Sequence, residues 1–308
     1  MRIGLMLGDI IGPSTVQEQV QQAVDAGNDG FDTAWFGQLF GIDALTITAL
    51  AGAATSRIEL GTGVVPTFPR HPYVMAQQAL TVQGATNNRF VLGVGLSHQI
   101  VIEAMYGLSY AHPARHMREY LSVLLPLLRE GRAGFQGDMY RTNANLSVPG
   151  AAPMPVLLAA LAPKMLRIAG EMVDGTMLWM SGLKTIETHV MPIISAAASE
   201  AGRPAPRIAA GLPICVTEDV AAGREAAGEV FQMYGQLPNY RRMLDREGAA
   251  GPADVAVVGD EAAVEKQLRA LAGVGVTDFV APIYGTGPDR DSSVARTRAL
   301  LKSLVGKI

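Results

Sequence analysis

The feature that most constrains the fold of this chain is a regular alternation of short apolar runs with longer segments of helical periodicity. The apolar runs are rich in valine, isoleucine and leucine on both faces, which is typical of parallel strands covered by helices. We predict strands at residues 3–7, 33–38, 58–64, 90–95, 156–160, 175–180, 208–216 and 278–283. A predicted helix follows each strand, at 15–26, 43–55, 72–84, 113–129, 163–172, 183–201, 221–234 and 293–305, and further helical segments are predicted at 240–246 and 261–271.

Eight β-then-α units within 308 residues predict an α/β fold, a (β/α)8 TIM barrel with insertions. A doubly wound open sheet is the alternative fold. The segment 134–155, GFQGDMYRTNANLSVPGAAPMP, combines turn residues with alternating polarity, so we predict an inserted hairpin there. Because no low-complexity linker interrupts the pattern, residues 1–308 are expected to form a single domain.

Charge and cysteine content narrow the classes of partner. Charged residues make up 17% of the chain and its formal net charge is −3, so we expect neither nucleic acid nor an anionic membrane surface as a partner, but a small molecule. The single cysteine, Cys215, excludes an internal disulfide framework, and we expect it to be a buried small apolar residue. The N-terminal MRIGLML enters a strand without the apolar region of a signal peptide, and no apolar run is long enough to span a bilayer, so we predict a cytoplasmic protein.

In a barrel of this type the active site lies at the carboxyl ends of the strands. The residues that follow the predicted strands are poor in charge. They contain no pair of carboxylates for hydrolysis, no cluster with metal-ligand spacing and no nucleophile beside a histidine and an acid. Such a set suits a flat, largely apolar cofactor that brings its own chemistry.

Two partial motifs at strand ends do not change this interpretation. In GVGLSHQ, Gly93 and Gly95 follow a strand, but His98 stands where a dinucleotide fingerprint needs its third glycine. The same segment places Ser97 as in a nucleophile elbow, but Gln99 replaces the final glycine. We reject both the dinucleotide and the serine-hydrolase interpretations.

The segment HPARH places His112 and His116 four residues apart, where two imidazoles on one helix face could bind a metal. No glutamate follows His112 as the zinc-protease motif requires, and Pro113 suits the first turn of an ordinary helix. We therefore predict no metal site.

Two strand-to-helix junctions predict a binding site for a phosphate group. In LLAALAPKMLRIAG a strand enters a helix that begins with Pro163 and Lys164, and in GTMLWMSGLKTIETH the residues Ser181 and Gly182 precede another helix. Free backbone N–H groups at a helix start, small side chains and a nearby lysine all favour an anion. Alternatively, Ser181 is only an N-cap and Lys164 a solvated residue of the first turn.

Several segments together carry a family resemblance. RIGLML, LGTGVVPTFPRHP, RFVLGVGLSH, PARHMREYLSVL, LAALAPKMLRIAGEMVDGTMLWMSG and GVTDFVAPIY resemble the bacterial luciferase-like monooxygenase superfamily, and within it the oxidoreductases that use the deazaflavin coenzyme F420. The resemblance spans nearly the whole chain. It implies a (β/α)8 barrel, often a homodimer, that binds a flavin or deazaflavin at the strand ends and passes a hydride to or from C5 of the deazaflavin.

The resemblance also implies a set of contacts for the cofactor. It implies a non-proline cis peptide at Gly63–Val64, behind the cofactor ring. The residues expected to contact the ring or the phosphate are Gln38, Gly63, Val64, Ser97, Ala160, Leu161, Ala162, Pro163, Lys164, Met180, Ser181, Gly182 and Leu183.

Two polar residues are candidates for a catalytic role, Gln38 and His98. Gln38 stands where several deazaflavin enzymes carry an aspartate or histidine, and its amide can form hydrogen bonds but cannot relay a proton. His98 is the candidate proton donor or substrate contact, or else a histidine packed in a loop. The leading hypothesis is an F420-dependent oxidoreductase acting on a small organic molecule. The alternatives are an FMN-dependent monooxygenase and a non-catalytic barrel that only binds a flavin or deazaflavin.

Overall fold

The computed structural model describes residues 1–10 and 12–308. Its strands are β1 (Arg2–Leu7), β2 (Thr33–Phe36), β3 (Glu59–Thr62), β4 (Val65–Pro66), β5 (Phe90–Gly95), β6 (Arg132–Gln136), β7 (Arg141–Asn145), β8 (Val156–Leu158), β9 (Gly175–Trp179), β10 (Arg207–Gly211), β11 (Ile214–Val216), β12 (Val257–Gly259) and β13 (Asp278–Ala281). The α-helices are α1 (Val16–Asp29), α2 (Ala44–Ala54), α3 (Pro72–Ala85), α4 (Pro113–Glu130), α5 (Pro163–Met172), α6 (Leu183–Thr185), α7 (Met191–Glu200), α8 (Val220–Val230), α9 (Gln232–Gln236), α10 (Pro238–Glu247), α11 (Pro252–Val255), α12 (Glu261–Gly273) and α13 (Arg290–Leu304). Two π-helical turns lie at Val101–Met105 and Ile186–Val190.

Eight parallel strands close into a barrel in the order β1, β2, β3, β5, β8, β9, β10 and β13, with β13 pairing back to β1. The short strand β4 continues the path of β3 and pairs with β5. The predicted TIM barrel is confirmed, and the open doubly wound sheet is wrong because β3 pairs with β5 and leaves no edge in this sheet. None of the helices in the described ranges is long and apolar enough to cross a membrane.

The predicted strand 208–216 is in fact two strands. β10 ends at Gly211 and stays in the barrel, whereas β11 starts at Ile214 and pairs with β12 outside it. Pro213 separates the two, and proline has no N–H group with which to continue a ladder. Cys215 is buried in β11, as expected.

The predicted inserted hairpin is present, but it begins earlier and is shorter than the segment 134–155. Its strands β6 and β7 pair over Arg132–Gln136 and Arg141–Asn145. The Glu119 carboxylate on α4 accepts backbone N–H groups of Met139 at 2.8 Å and Tyr140 at 3.1 Å. These bonds hold the hairpin turn against α4.

Among the described residues, seven buried side chains pack together inside the barrel, those of Met6, Trp35, Val91, Leu157, Met177, Ala209 and Val280. Below them, the fully buried Asp278 pairs with Arg207 at 2.6 Å and with Arg2 at 2.7 Å, and Arg207 also reaches Glu59 at 2.6 Å. The Arg207 guanidinium lies over the Trp35 ring, 5.4 Å from its centroid. This ion network lies at the amino end of the barrel, opposite the end at which the predicted site residues follow their strands.

Candidate functional site

The strand registers bring the predicted site residues to one end of the barrel. Phe36 is paired with Leu7 and Thr62, while Pro66 is paired with Gly95 and Leu158 with Thr176. The residues that follow these strands therefore share one rim. They include every predicted contact, namely Gln38, Gly63, Val64, Ser97, His98, the segment 160–164 and the segment 180–183.

The floor of the mouth is formed by Gly63 and Val64, which stand above the topmost side chains of the barrel interior. The peptide bond between them is cis, as the resemblance implied. A Cβ atom at position 63 would lie 2.9 Å from Cε of Met177 and 3.1 Å from Cε of Met6, so only glycine fits without moving both methionines. The half-buried Val64 adds to an apolar floor that suits a flat ring.

Two polar residues of the rim are already held by the protein. Oε1 of Gln38 accepts the N–H of Ala44 at 2.9 Å, which fixes the side chain at the start of α2 and leaves its NH₂ group as the donor. Oδ1 of Asp9, which follows β1, accepts Nε2 of Gln19 at 2.8 Å and Oγ of Ser14 at 3.2 Å. Both side chains are therefore held in place by hydrogen bonds within the protein.

His98 lies after β5, next to Ser97, whose φ of 61° turns the chain sharply. The imidazole is half-buried and contacts the Tyr240 ring edge-on, with centroids 5.4 Å apart. Burial lowers the pKa of His98, so the ring is neutral at pH 7 and has one donor and one acceptor nitrogen. The structure thus places His98 at the mouth in a form that can accept a proton.

An aromatic wall, which we define as Trp179, Tyr234, Tyr240 and His98, runs along one side of the mouth. Its members meet edge to face, with 5.4 Å between the centroids of Trp179 and Tyr234 and 5.6 Å between those of Tyr234 and Tyr240. Burial raises the pKa of Tyr234 to about 12 and also raises that of Tyr240, so both hydroxyl groups stay protonated. Nε1 of Trp179 is buried and has no partner among the described residues.

The sequence interpretation missed this wall. Trp179 has the same strand parity as Met177, which points into the barrel, so alternation along β9 could have identified it. Tyr234 and Tyr240 lie on α9 and α10, more than fifty residues along the chain, and no local pattern indicates that these helices return to the mouth.

His112 and His116 do not form a site together. His112 is exposed, whereas His116 is 2% exposed and stacks on Phe68 with centroids 3.8 Å apart. Nε2 of His116 lies 2.9 Å from Oγ1 of Thr67, and Nδ1 lies 3.3 Å from the hydroxyl of Tyr140. Burial lowers the pKa of His116 to about 4. Within residues 1–10 and 12–308 no group of three or more histidine, cysteine or acidic side chains could hold a metal ion.

The first predicted phosphate junction has an open helix start. Ala162 is the N-cap of α5, Pro163 is its first residue, and no side chain among the described residues caps this end. Ala162, Pro163 and Lys164 are all exposed. Because the first N–H groups of a helix have no partner within it, this end can accept an anion with Lys164 beside it.

The second predicted junction is already filled. The helical segment that follows Gly182 runs through α6, a π-helical turn and α7 without a break. Oε1 of Glu247 accepts the N–H of Lys184 at 3.1 Å, and Oε2 accepts that of Thr185 at 2.7 Å. A carboxylate of the chain itself therefore stands where the sequence predicted a phosphate group. Ser181 is 1% exposed, and its Oγ has no partner within the described part of the chain.

Comparisons with known proteins agree with the fold and identify the family. The model of the luciferase-like monooxygenase family matches residues 1–304. A Mycobacterium tuberculosis protein whose name assigns it to the coenzyme F420-dependent oxidoreductases is 31% identical over 193 residues, which cover 57% of this chain and 54% of that protein. The 5,10-methylenetetrahydromethanopterin reductase of Methanolobus tindarius is 28% identical over 279 residues, covering 90% of this chain and 84% of the reductase.

Two solved structures share the fold. The coenzyme F420-dependent tetrahydromethanopterin reductase from Methanopyrus kandleri superposes with a TM-score of 0.79 at 20% identity, covering 100% of this chain and 98% of the other. The oxygenating constituent of 3,6-diketocamphane monooxygenase from Pseudomonas putida, in complex with FMN, superposes with a TM-score of 0.78 at 17% identity, covering 100% and 97%. Since the family model spans nearly all of the sequence, the chain belongs to the luciferase-like monooxygenase family, a family of enzymes.

Proposed function

We propose that this enzyme binds coenzyme F420 at the carboxyl end of its barrel and transfers a hydride between C5 of the deazaflavin and a small, uncharged organic substrate. Family membership and the names of its F420-dependent relatives support the proposal. We also propose a homodimer, which light scattering on the purified protein tests.

The observation that carries the proposal is the combination of an apolar floor with an open helix start on the same rim. Gly63 and Val64 provide a surface for a flat ring. The start of α5, which no side chain of the described residues caps, provides donors for a phosphate group together with Lys164. Asp9 and Gln38 are held by structural hydrogen bonds. A ligand with a ring and a phosphate fits this arrangement, and the chemistry would come from the ligand.

When bound, the coenzyme would supply a hydride from C5 in its reduced form and accept one there in its oxidised form. The chain's own residues have three tasks in this proposal. Gly63, Val64, Ser97 and the NH₂ group of Gln38 contact the ring, and the start of α5 binds the phosphate. In the direction of substrate oxidation, neutral His98 accepts the proton of the substrate atom next to the carbon that gives up the hydride, and in the reverse direction the imidazolium so formed returns that proton.

An FMN-dependent monooxygenase is the second candidate, because the matching family model is named for monooxygenases and because the same floor and helix start would suit FMN. The third candidate is a barrel that binds its cofactor without catalysis. It differs from the first two in lacking any substrate-dependent turnover.

The test begins with calorimetric titration of the purified protein with F420 and with FMN. We expect binding of F420. Stopped-flow oxidation of reduced F420 against enones, imines and aldehydes should then show substrate-dependent rates that fall in His98→Gln. Binding of FMN without F420 would favour the monooxygenase, and F420 binding without oxidation by any of these substrates would favour the non-catalytic barrel.

A further inference from the structure

Glu247 ends helix α10 and reaches across to the segment that follows β9. Its two carboxylate oxygens accept the backbone N–H groups of Lys184 and Thr185, at 3.1 and 2.7 Å. A Cβ atom at Gly182 would collide with the same carboxyl group, so the backbone packs tightly against Glu247. The contact is therefore close and bidentate.

A carboxylate in this position does what a bound anion would do. N–H groups at a helix start carry partial positive charge and lack partners within the helix. Glu247 satisfies two of them and brings a negative charge that repels a second anion. The buried Oγ of Ser181, beside Gly182, has no partner among residues 1–10 and 12–308, and it is further hydrogen-bonding capacity that Glu247 does not use.

The junction at the start of α5 differs from the Gly182 junction in its capping. Strands β8 and β9 pair directly, so the helix starts that follow them lie side by side on the rim. The start of α5 carries Lys164 and receives no side-chain cap from the residues that the structure describes, whereas the helical segment after Gly182 is capped by Glu247. Of these two predicted phosphate junctions, one is open and one is closed by the chain itself.

We propose that Glu247 is a specificity-determining residue that excludes phosphate from the Gly182 junction. A cofactor phosphate is consequently held by the start of α5 alone. The statement about the cofactor phosphate rests on the proposed function. The test with inorganic phosphate does not depend on it.

The first experiment measures thermal unfolding of the full chain with inorganic phosphate, against sodium chloride at equal ionic strength. In Glu247→Ala the freed N–H groups bind phosphate, and the melting temperature rises by about 2 to 4 °C at a phosphate concentration ten times the Kd. The wild type and Glu187→Ala, which removes an exposed carboxylate from the same helical segment, show no rise beyond that in chloride. An equal phosphate response in all three proteins would overturn the inference.

The second experiment compares each cofactor with its phosphate-free form, FMN with riboflavin and F420 with its dephosphorylated deazaflavin. Glu247→Ala should raise the affinity for the phosphorylated form about tenfold and leave the other unchanged. Glu247→Gln, which keeps an acceptor oxygen and the fold but removes the charge, should shift the ratio of the affinities for the phosphorylated and the phosphate-free form in the same direction. If the cofactors bind but the ratio of the two affinities is the same in the variants and the wild type, the proposed role of Glu247 is wrong, whereas the proposed function is not. If neither cofactor pair binds, the proposed function is wrong, and thermal unfolding with inorganic phosphate still tests the role of Glu247.

Discussion

Acidification should destabilise this protein through His116, in a range of pH that the structure defines. The ring is buried, stacks on Phe68 and bonds to Thr67 and Tyr140, and burial lowers its pKa from an ordinary 6.5 to about 4. Well above pH 6.5 the ring is neutral in both the folded and the unfolded chain, so His116 makes no pH-dependent contribution there. Between pH 6.5 and pH 4 the unfolded chain binds a proton that the folded protein does not, so stability falls as the pH falls.

The size of the effect follows from the same two values. Each pH unit within this interval costs up to about 1.4 kcal/mol. The free energy of unfolding should therefore drop by about 2.5 kcal/mol between pH 7.5 and 4.5 through His116 alone. Carboxylates also begin to take up protons towards the acid end of this range and add their own dependence, so the quantity to measure is a difference between variants.

The assay is urea unfolding at pH 7.5, 6.5, 5.5 and 4.5 for the wild type, His116→Gln and His112→Gln. His116→Gln keeps a side chain that can bond to Thr67 but cannot take up a proton, so its stability should fall less steeply with acid. The free energy of unfolding of the wild type minus that of His116→Gln should therefore fall by about 2.5 kcal/mol between pH 7.5 and pH 4.5. Exposed His112 is the control, and its variant should follow the wild type. A constant gap across the pH series would refute the reasoning.

Three further perturbations probe the two ends of the barrel. Asp278→Ala leaves Arg207 without its fully buried partner and should cost about 3 kcal/mol in urea unfolding, and a loss under about 0.5 kcal/mol would show that Glu59 suffices to pair the guanidinium. Trp179→Phe keeps an aromatic ring but removes the indole N–H, which has no partner in the described part of the chain, so we expect weaker binding of a carbonyl substrate with no change in melting temperature; equal KM values would contradict a role for this donor. Lys164→Glu should weaken binding of FMN or F420 at least tenfold by calorimetry while sparing riboflavin, and equal losses for FMN and riboflavin would argue against a phosphate at α5.

Much of the candidate site could be predicted because strand ends in a parallel barrel share a rim. Once the β-then-α alternation indicates a barrel, residues such as Gln38, Val64 and His98 must lie on the same rim although they are distant in the chain. What occupies each junction could not be predicted in the same way. Ser181 and Gly182 look like an anion site from their own sequence, and only the contact with Glu247, 63 residues beyond Lys184, shows that the donors are taken.

The sequence by itself determined the barrel, the rim and the low charge of the mouth, because hydrophobic periodicity reports which faces are buried and local residue types report how each strand ends. Only the tertiary structure decided which partners those rim residues have. Pro213 sends β11 out of the barrel, and the segment beyond it returns Tyr234, Tyr240 and Glu247 to the mouth. Such contacts depend on how helices pack against one another in space, and no pattern within a few residues of Trp179 or Gly182 carries that information.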